Sequence, residues 1–175
     1  LLLTLVVLLL IAAAAAAFAL DSLYRNLGLR ALEDVLDAQV MALVSTAELD
    51  GDGRLAPQDL AEPRLATPGS GLYAEILGSQ GSWRSPSAVG SGLNLAAEPL
   101  PGQRRLEHSR LANGTPVLGL SLGVRWETED GPSRDFVIRA AQSLAPWHRE
   151  LLRVRTGLAT GFLLLAVLLL GGLTI

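Results

Sequence analysis

The sequence predicts an α+β fold, an antiparallel five-stranded sheet with a long N-terminal helix, flanked by two transmembrane α-helices. Three observations lead there. Every charged side chain of the 175 residues lies between two apolar runs, Leu1–Leu20 and Thr156–Ile175. After the first run the apolar residues recur every three or four positions, and further on they recur every two. The chain therefore divides into a transmembrane helix over 1–20, a folded domain over 21–155 and a second transmembrane helix over 156–175. Because the sequence opens and closes inside apolar runs, we expect it to be a piece of a longer protein.

A helix rises about 1.5 Å per residue, so about 20 apolar residues match the hydrocarbon core of a bilayer. The first run is Leu, Val, Ile and Ala with one Phe and one Thr; the second is similar but carries Gly157, Gly161, Gly171 and Gly172. Ala17-Phe18-Ala19 has the small-x-small form of a processing site, yet the apolar stretch is longer than a signal core and a helix continues from it, which favours a retained anchor. Gly157 and Gly161 form a GxxxG, where a second helix can approach closely. The small face of Ala12, Ala13, Ala16 and Ala17 is a counterpart in the first span. The arginines beside the spans do not set orientation, since a domain of this length translocates largely regardless of charge.

From Asp21 to about Ser45 there is no Pro and the only Gly is Gly28. Leu29, Leu32, Leu36, Val40 and Leu43 make a stripe along one helix face, opened by Leu20, Leu23 and Leu27. Such a stripe packs on the sheet or on its twin in a dimer. The segment Asp50 to Gly71, with Pro57, Pro63 and Pro68, reads as loop. Leu72–Leu77 is a first strand, Ser79–Ser82 a turn, and Trp83 with its neighbours a second strand. Ser85–Gln103 reads as a Pro- and Gly-rich connection with a short helix. Arg105–Leu111 is a polar strand joined through Asn113-Gly114 to Leu118–Glu127, where alternation is clearest. A turn over Glu129-Asp130-Gly131-Pro132 leads to Phe136–Ala141. Every join short enough to judge is a hairpin, so the sheet is antiparallel.

The composition excludes several functions. With Cys 0 there is no disulfide, thiolate nucleophile or Cys-based metal site. The 14 basic residues are all Arg and are interspersed with 17 acids at a net charge of −3, which leaves no basic stripe for nucleic acid. No catalytic residue and no cofactor site is legible. His108 reads as a surface residue. His148-Arg149-Glu150-Leu151 has the His-Glu-Leu of a histidine-kinase phosphoacceptor box but lacks the polar-Pro-Leu that follows it. Glu48-Leu49-Asp50-Gly51-Asp52-Gly53 mimics the start of an EF-hand loop, with Asp59 at its twelfth position. Arg54 among the ligands and Pro57 after them favour an Asp-Gly turn. Asp50 and Asp52, and the cluster Glu127, Glu129 and Asp130, are thus weak metal candidates. Asn113-Gly114-Thr115 fits a glycosylation sequon, though the hairpin accounts for it.

The order span, helix, five strands, span resembles the sensory half of a bacterial two-component histidine kinase. Pro68-Gly69-Ser70-Gly71-Leu72-Tyr73-Ala74 followed by Trp83-Arg84-Ser85-Pro86-Ser87 resembles PhoQ-like sensor kinases with a PAS-like periplasmic domain. The resemblance implies a homodimeric receptor of the bacterial inner membrane with its central domain periplasmic. It further implies a cytoplasmic autokinase, outside this chain, that uses ATP and Mg and phosphorylates a cognate response regulator. The ligand is left open. Two other classes fit the same plan: an anchored binding or scaffold domain without signalling, and the sensor of a chemoreceptor or cyclic-dinucleotide enzyme.

Overall fold

The structure, a computed structural model, describes residues 2–128 and 131–171. They form two compact units: a helical unit of Leu1–Arg30 with Pro146–Ile175, and a sheet unit of Ala31–Ala145. The sheet unit is therefore narrower than the 21–155 span marked by composition. Residues 21–30 and 146–155 belong to helices of the other unit.

In chain order the elements are α1 (Leu2–Thr46), β1 (Ala47–Leu49), β2 (Leu55–Pro57), α2 (Pro63–Ala66), β3 (Leu72–Gly78) and β4 (Gly81–Arg84). A 3-10 turn (Pro86–Ala88), β5 (Arg104–Arg110), β6 (Pro116–Thr128), β7 (Gly131–Ser143) and α3 (Ala145–Gly171) complete the order. The apolar run and the amphipathic stripe form one unbroken helix of 45 residues. Nothing in its sequence interrupts the hydrogen-bond ladder. It ends where the Thr46 hydroxyl turns back to the Ala42 carbonyl at 3.0 Å and the chain enters β1.

The five-stranded sheet is antiparallel in the order β4-β3-β7-β6-β5. Each hairpin named from sequence is present, and β7 inserts between β3 and β6 as the central strand. The edges do not invite further pairing: β4 has four residues, and β5 (Arg-Arg-Leu-Glu-His-Ser-Arg) is rich in charge. At the β5–β6 turn, Gly114 takes φ +82 and Asn113 Oδ1 accepts the Thr115 N–H at 3.0 Å.

Alternation in the strands gives the sheet two buried faces. On one, Ala74, Ile76, Leu118, Leu120, Ile138 and Ala140 pack with Leu36, Val40 and Leu43 of α1. The stripe of α1 is thus a core stripe over its C-terminal half, while Leu20, Leu23 and Leu27 are exposed. On the other, Tyr73, Val117 and Ala141 pack with Ala88, Leu95 and Leu111. The connection before β5 supplies this second cover: residues 93–100 cross the sheet as a strap without regular secondary structure. Two glycines of β6 admit it. A Cβ on Gly119 would overlap the Leu95 side chain, and one on Gly123 would overlap the carbonyl oxygens of Pro99 and Leu100.

The segment Asp50–Gly71, read as loop, is more ordered than that. β1 and β2 pair as a small antiparallel hairpin, Ala47 opposite Pro57 and Leu49 opposite Leu55. α2 begins with Pro63 at its first position, where Pro is tolerated, and Glu62 caps it by accepting the Arg64 N–H. These pieces are three and four residues long, too short for a periodicity to register. Buried Leu55 and Leu65 anchor them to the core.

Gly123→Ala meets fixed backbone, so we expect it to lift the strap and to lower stability by about 1–3 kcal/mol in denaturant unfolding. Gly51→Ala, where a Cβ meets nothing within 4 Å, should leave stability nearly unchanged.

Candidate functional site

Of the sequence-based metal candidates, Asp50, Asp52 and Glu127 lie among the described residues. Asp50 is occupied as a turn cap: its Oδ1 accepts the backbone N–H of Asp52 at 3.0 Å and of Arg54 at 2.8 Å, and its carbonyl accepts the Gly53 N–H at 3.0 Å. The Asp-Gly stretch is the β1–β2 turn, and Asp52 is exposed on it. Glu127 is exposed near the end of β6, whereas Glu129 and Asp130 lie outside the described residues. Among the described residues, no three His, Asp or Glu side chains gather in a metal-binding arrangement. His108 is exposed on the edge strand β5.

Gly157 and Gly161 lie on α3, and a Cβ at either would meet nothing within 4 Å among the described residues. Within the helical unit, residues 21–28 of α1 meet residues 147–155 of α3. Arg155 donates from Nε and Nη2 to the two carboxylate oxygens of Asp21 at 3.0 and 3.3 Å, a fork-to-fork pair. One turn along α1, Tyr24 stacks on Trp147 with ring centroids 5.4 Å apart and planes 4° from parallel. The next turn brings Gly28, whose missing side chain makes room for the Trp147 ring. An ion pair, an aromatic stack and a glycine therefore clasp the two helices. Aromatic rings favour the boundary between hydrocarbon and water. Beyond the clasp, Leu8, Ile11, Phe18, Leu163, Leu164, Val167 and Leu168 are exposed. Both helices are long and apolar enough to cross a membrane, with mean hydropathy 2.4 and 1.7 in their most apolar windows.

In the sheet unit, charge is buried on strands that are otherwise largely apolar. On the strap-covered face, strand register places Arg84, Glu75, Arg139, Ser121 and Arg105 side by side across β4, β3, β7, β6 and β5. Glu75 is 2% exposed; its Oε1 accepts from Arg84 Nε at 2.6 Å and its Oε2 faces Arg139 Nη1 at 3.5 Å. Arg139 Nη2 donates to the carbonyl of Ala97 in the strap at 2.9 Å. The Ala97 N–H in turn donates to Glu107 Oε1 at 3.2 Å, and the Ser109 hydroxyl donates to the Asn94 carbonyl. The strap is fastened to the sheet by polar contacts as well as by Leu95. A buried ion pair adds little net stability but is costly to break one-sidedly.

The segments that carry the family resemblance are structural here. Ser85 Oγ accepts the Ala74 N–H at 2.9 Å and lies 2.8 Å from Ser87 Oγ, both hydroxyls fully buried. Gly71 accepts the Ser143 N–H at 2.7 Å, fixing the start of β3 to the end of β7. On the opposite face, Glu33, Asp34 and Asp37 of α1 line a groove with Arg104, Leu106 and Leu120, and Arg104 pairs with Asp37 at 2.6 Å. At the far end of the β6–β7 pair, the Arg125 guanidinium bonds to Asp135 and holds its carboxyl below the usual value. That pair supports the fold above the unfolded carboxyl's pKa, and its support is lost as pH falls through the lowered folded value.

No family model, curated protein or solved structure matches this chain. The class defined by its own geometry is an α+β domain, with a five-stranded antiparallel sheet, joined to two helices of membrane-crossing length and apolarity.

With no native Cys, the clasp can be tested by introducing one pair. Asp21→Cys with Arg155→Cys should be joined by a short bismaleimide within one chain, and Gly28→Leu in that background should lower the yield severalfold on denaturing gels. For the turn, Asp50→Ala should cost about 1 kcal/mol of stability, while Asp50→Asn, which keeps an accepting oxygen, should cost less.

Proposed function

We propose that this chain is the signal-sensing region of a bacterial two-component sensor histidine kinase, anchored in the inner membrane with its sheet unit in the periplasm. The observation that carries the reading is the chain order. One apolar helix runs without a break into the element covering one face of the sheet. The central strand of that sheet ends only two residues before the second apolar helix begins. The resemblance of Pro68–Ala74 and Trp83–Ser87 to PhoQ-like sensors with a PAS-like domain supports the same reading.

In this reading the protein works as a homodimer. The autokinase, with its ATP and Mg, lies beyond this chain in the cytoplasm and passes phosphate to a response regulator. A ligand that binds two arrangements of the sheet unit with different affinity shifts their populations. Because both covalent exits are helices, the shift is delivered to the bilayer as a displacement of α1 against α3. The clasp at Asp21–Arg155 and Tyr24–Trp147 sets which displacements are possible.

Two measurements test this. Gln103→Cys, exposed beside β5, should react with a membrane-impermeant maleimide in intact spheroplasts; reaction only after permeabilisation overturns the periplasmic placement. Two glycines inserted between Leu151 and Arg155 of the full-length protein should abolish signal-dependent phosphorylation of the response regulator. Normally regulated output with that insertion rejects transmission through α3.

A further inference from the structure

We propose that the strap-covered face of the sheet binds a small carboxylate through Arg139 and Ser121, in competition with the Ala97 carbonyl of the strap. The inference deepens the sensory reading by naming a ligand class, and rests on it only for what the binding is used for.

The starting observation is a pair of unsatisfied groups. Arg139 is 5% exposed and Ser121 0%. Arg139 Nε and Ser121 Oγ have no hydrogen-bond partner among the described residues. Buried polar groups are nearly always paired, and an orphan calls for an explanation. These two stand directly opposite each other on the paired strands β6 and β7 and point to the same face. They come from the centre of the sheet, on the most extensively paired strands, so the backbone beneath them is rigid.

The chemistry of the orphan selects the ligand. Of the three guanidinium nitrogens, Nη1 faces Glu75 and Nη2 holds the Ala97 carbonyl. Nε and Nη2 form one fork whose two N–H groups match the two oxygens of a carboxylate. A single backbone carbonyl fills only half of that fork. A carboxylate fills all of it, and an oxygen can also accept the Ser121 hydroxyl proton. Charge in the row itself agrees with this: Arg84, Arg139 and Arg105 stand with one acid, Glu75, while further along the same face Glu107 is engaged by the Ala97 N–H and Arg125 is paired with Asp135. Glu75 beside the fork disfavours a dianion such as phosphate.

The strap is the element that binding would move. Residues 93–100 have no regular secondary structure, and Ala97 is fastened at both its carbonyl and its N–H. Exchanging the Ala97 carbonyl for a ligand carboxylate releases one fastening and leaves the other. Occupancy is thereby converted into a change of strap position over Gly119 and Gly123.

The test uses the whole 175-residue chain in phosphatidylcholine nanodiscs at constant ionic strength. Acetate and succinate are titrated by calorimetry, with inorganic phosphate as comparison, and amide exchange of residues 93–100 is followed. Saturable binding of at least one carboxylate is expected, with a severalfold change in strap exchange. Arg139→Lys, which keeps charge but loses the fork, should weaken it roughly tenfold. Ser121→Ala should weaken it severalfold while β6 and β7 keep their exchange protection, which separates lost binding from lost folding. Absence of saturable binding by either carboxylate overturns the proposal. So does wild-type affinity in folded Ser121→Ala, or phosphate binding as tightly as the carboxylates. Carboxylate binding by this chain, with no effect of the same carboxylate on response-regulator phosphorylation by the full-length protein, would leave this inference standing and remove the sensory reading.

Discussion

A sheet with apolar residues on both faces needs two covers, and this one finds them in elements of opposite character. One cover is a regular helix, whose Leu36, Val40 and Leu43 are 0–3% exposed against the strands. The other is an irregular strap that reaches the sheet only because Gly119 and Gly123 carry no side chain. Helical cover is uniform and apolar. The strap brings carbonyls and N–H groups to the surface it covers, and these must be met. Arg139 meets the Ala97 carbonyl, Glu107 the Ala97 N–H and Ser109 the Asn94 carbonyl, so the charge buried at Arg139 follows from the kind of cover the sheet has.

Much of the architecture was legible because it rests on long periodic runs. Alternation over Leu118–Glu127 marked most of the 13-residue strand β6, and the absence of Pro made α1 continuous. The small hairpin and α2 were not legible, because three or four residues carry too little pattern, and Leu55 and Leu65 reveal their burial only once the core is built around them. Asp21, Tyr24 and Arg155 look like domain surface in the sequence, yet their partners are on the neighbouring helix.

The candidate site shows the same contrast. Sequence reading drew attention to acids spaced like ligands, and Asp50 turned out to be engaged by the backbone of its own turn. The row across the sheet was invisible because Glu75, Ser121 and Arg139 are far apart in the chain and become neighbours only through strand register. One signal was available: Glu75 and Arg139 interrupt otherwise apolar strands at positions where burial on both faces would be expected.

The position of β7 has a consequence for biogenesis. It is the middle strand of the sheet but the last to be synthesised, and it pairs with β3, which precedes it by some sixty residues of chain. Until it emerges from the ribosome, β3 and β6 have no common neighbour, and the two hairpins remain separate halves. Loop-closure entropy makes that long-range pairing late in folding as well. The sheet unit is therefore completed only as the second apolar helix is itself being made, which ties closure of the sheet in time to the synthesis of α3.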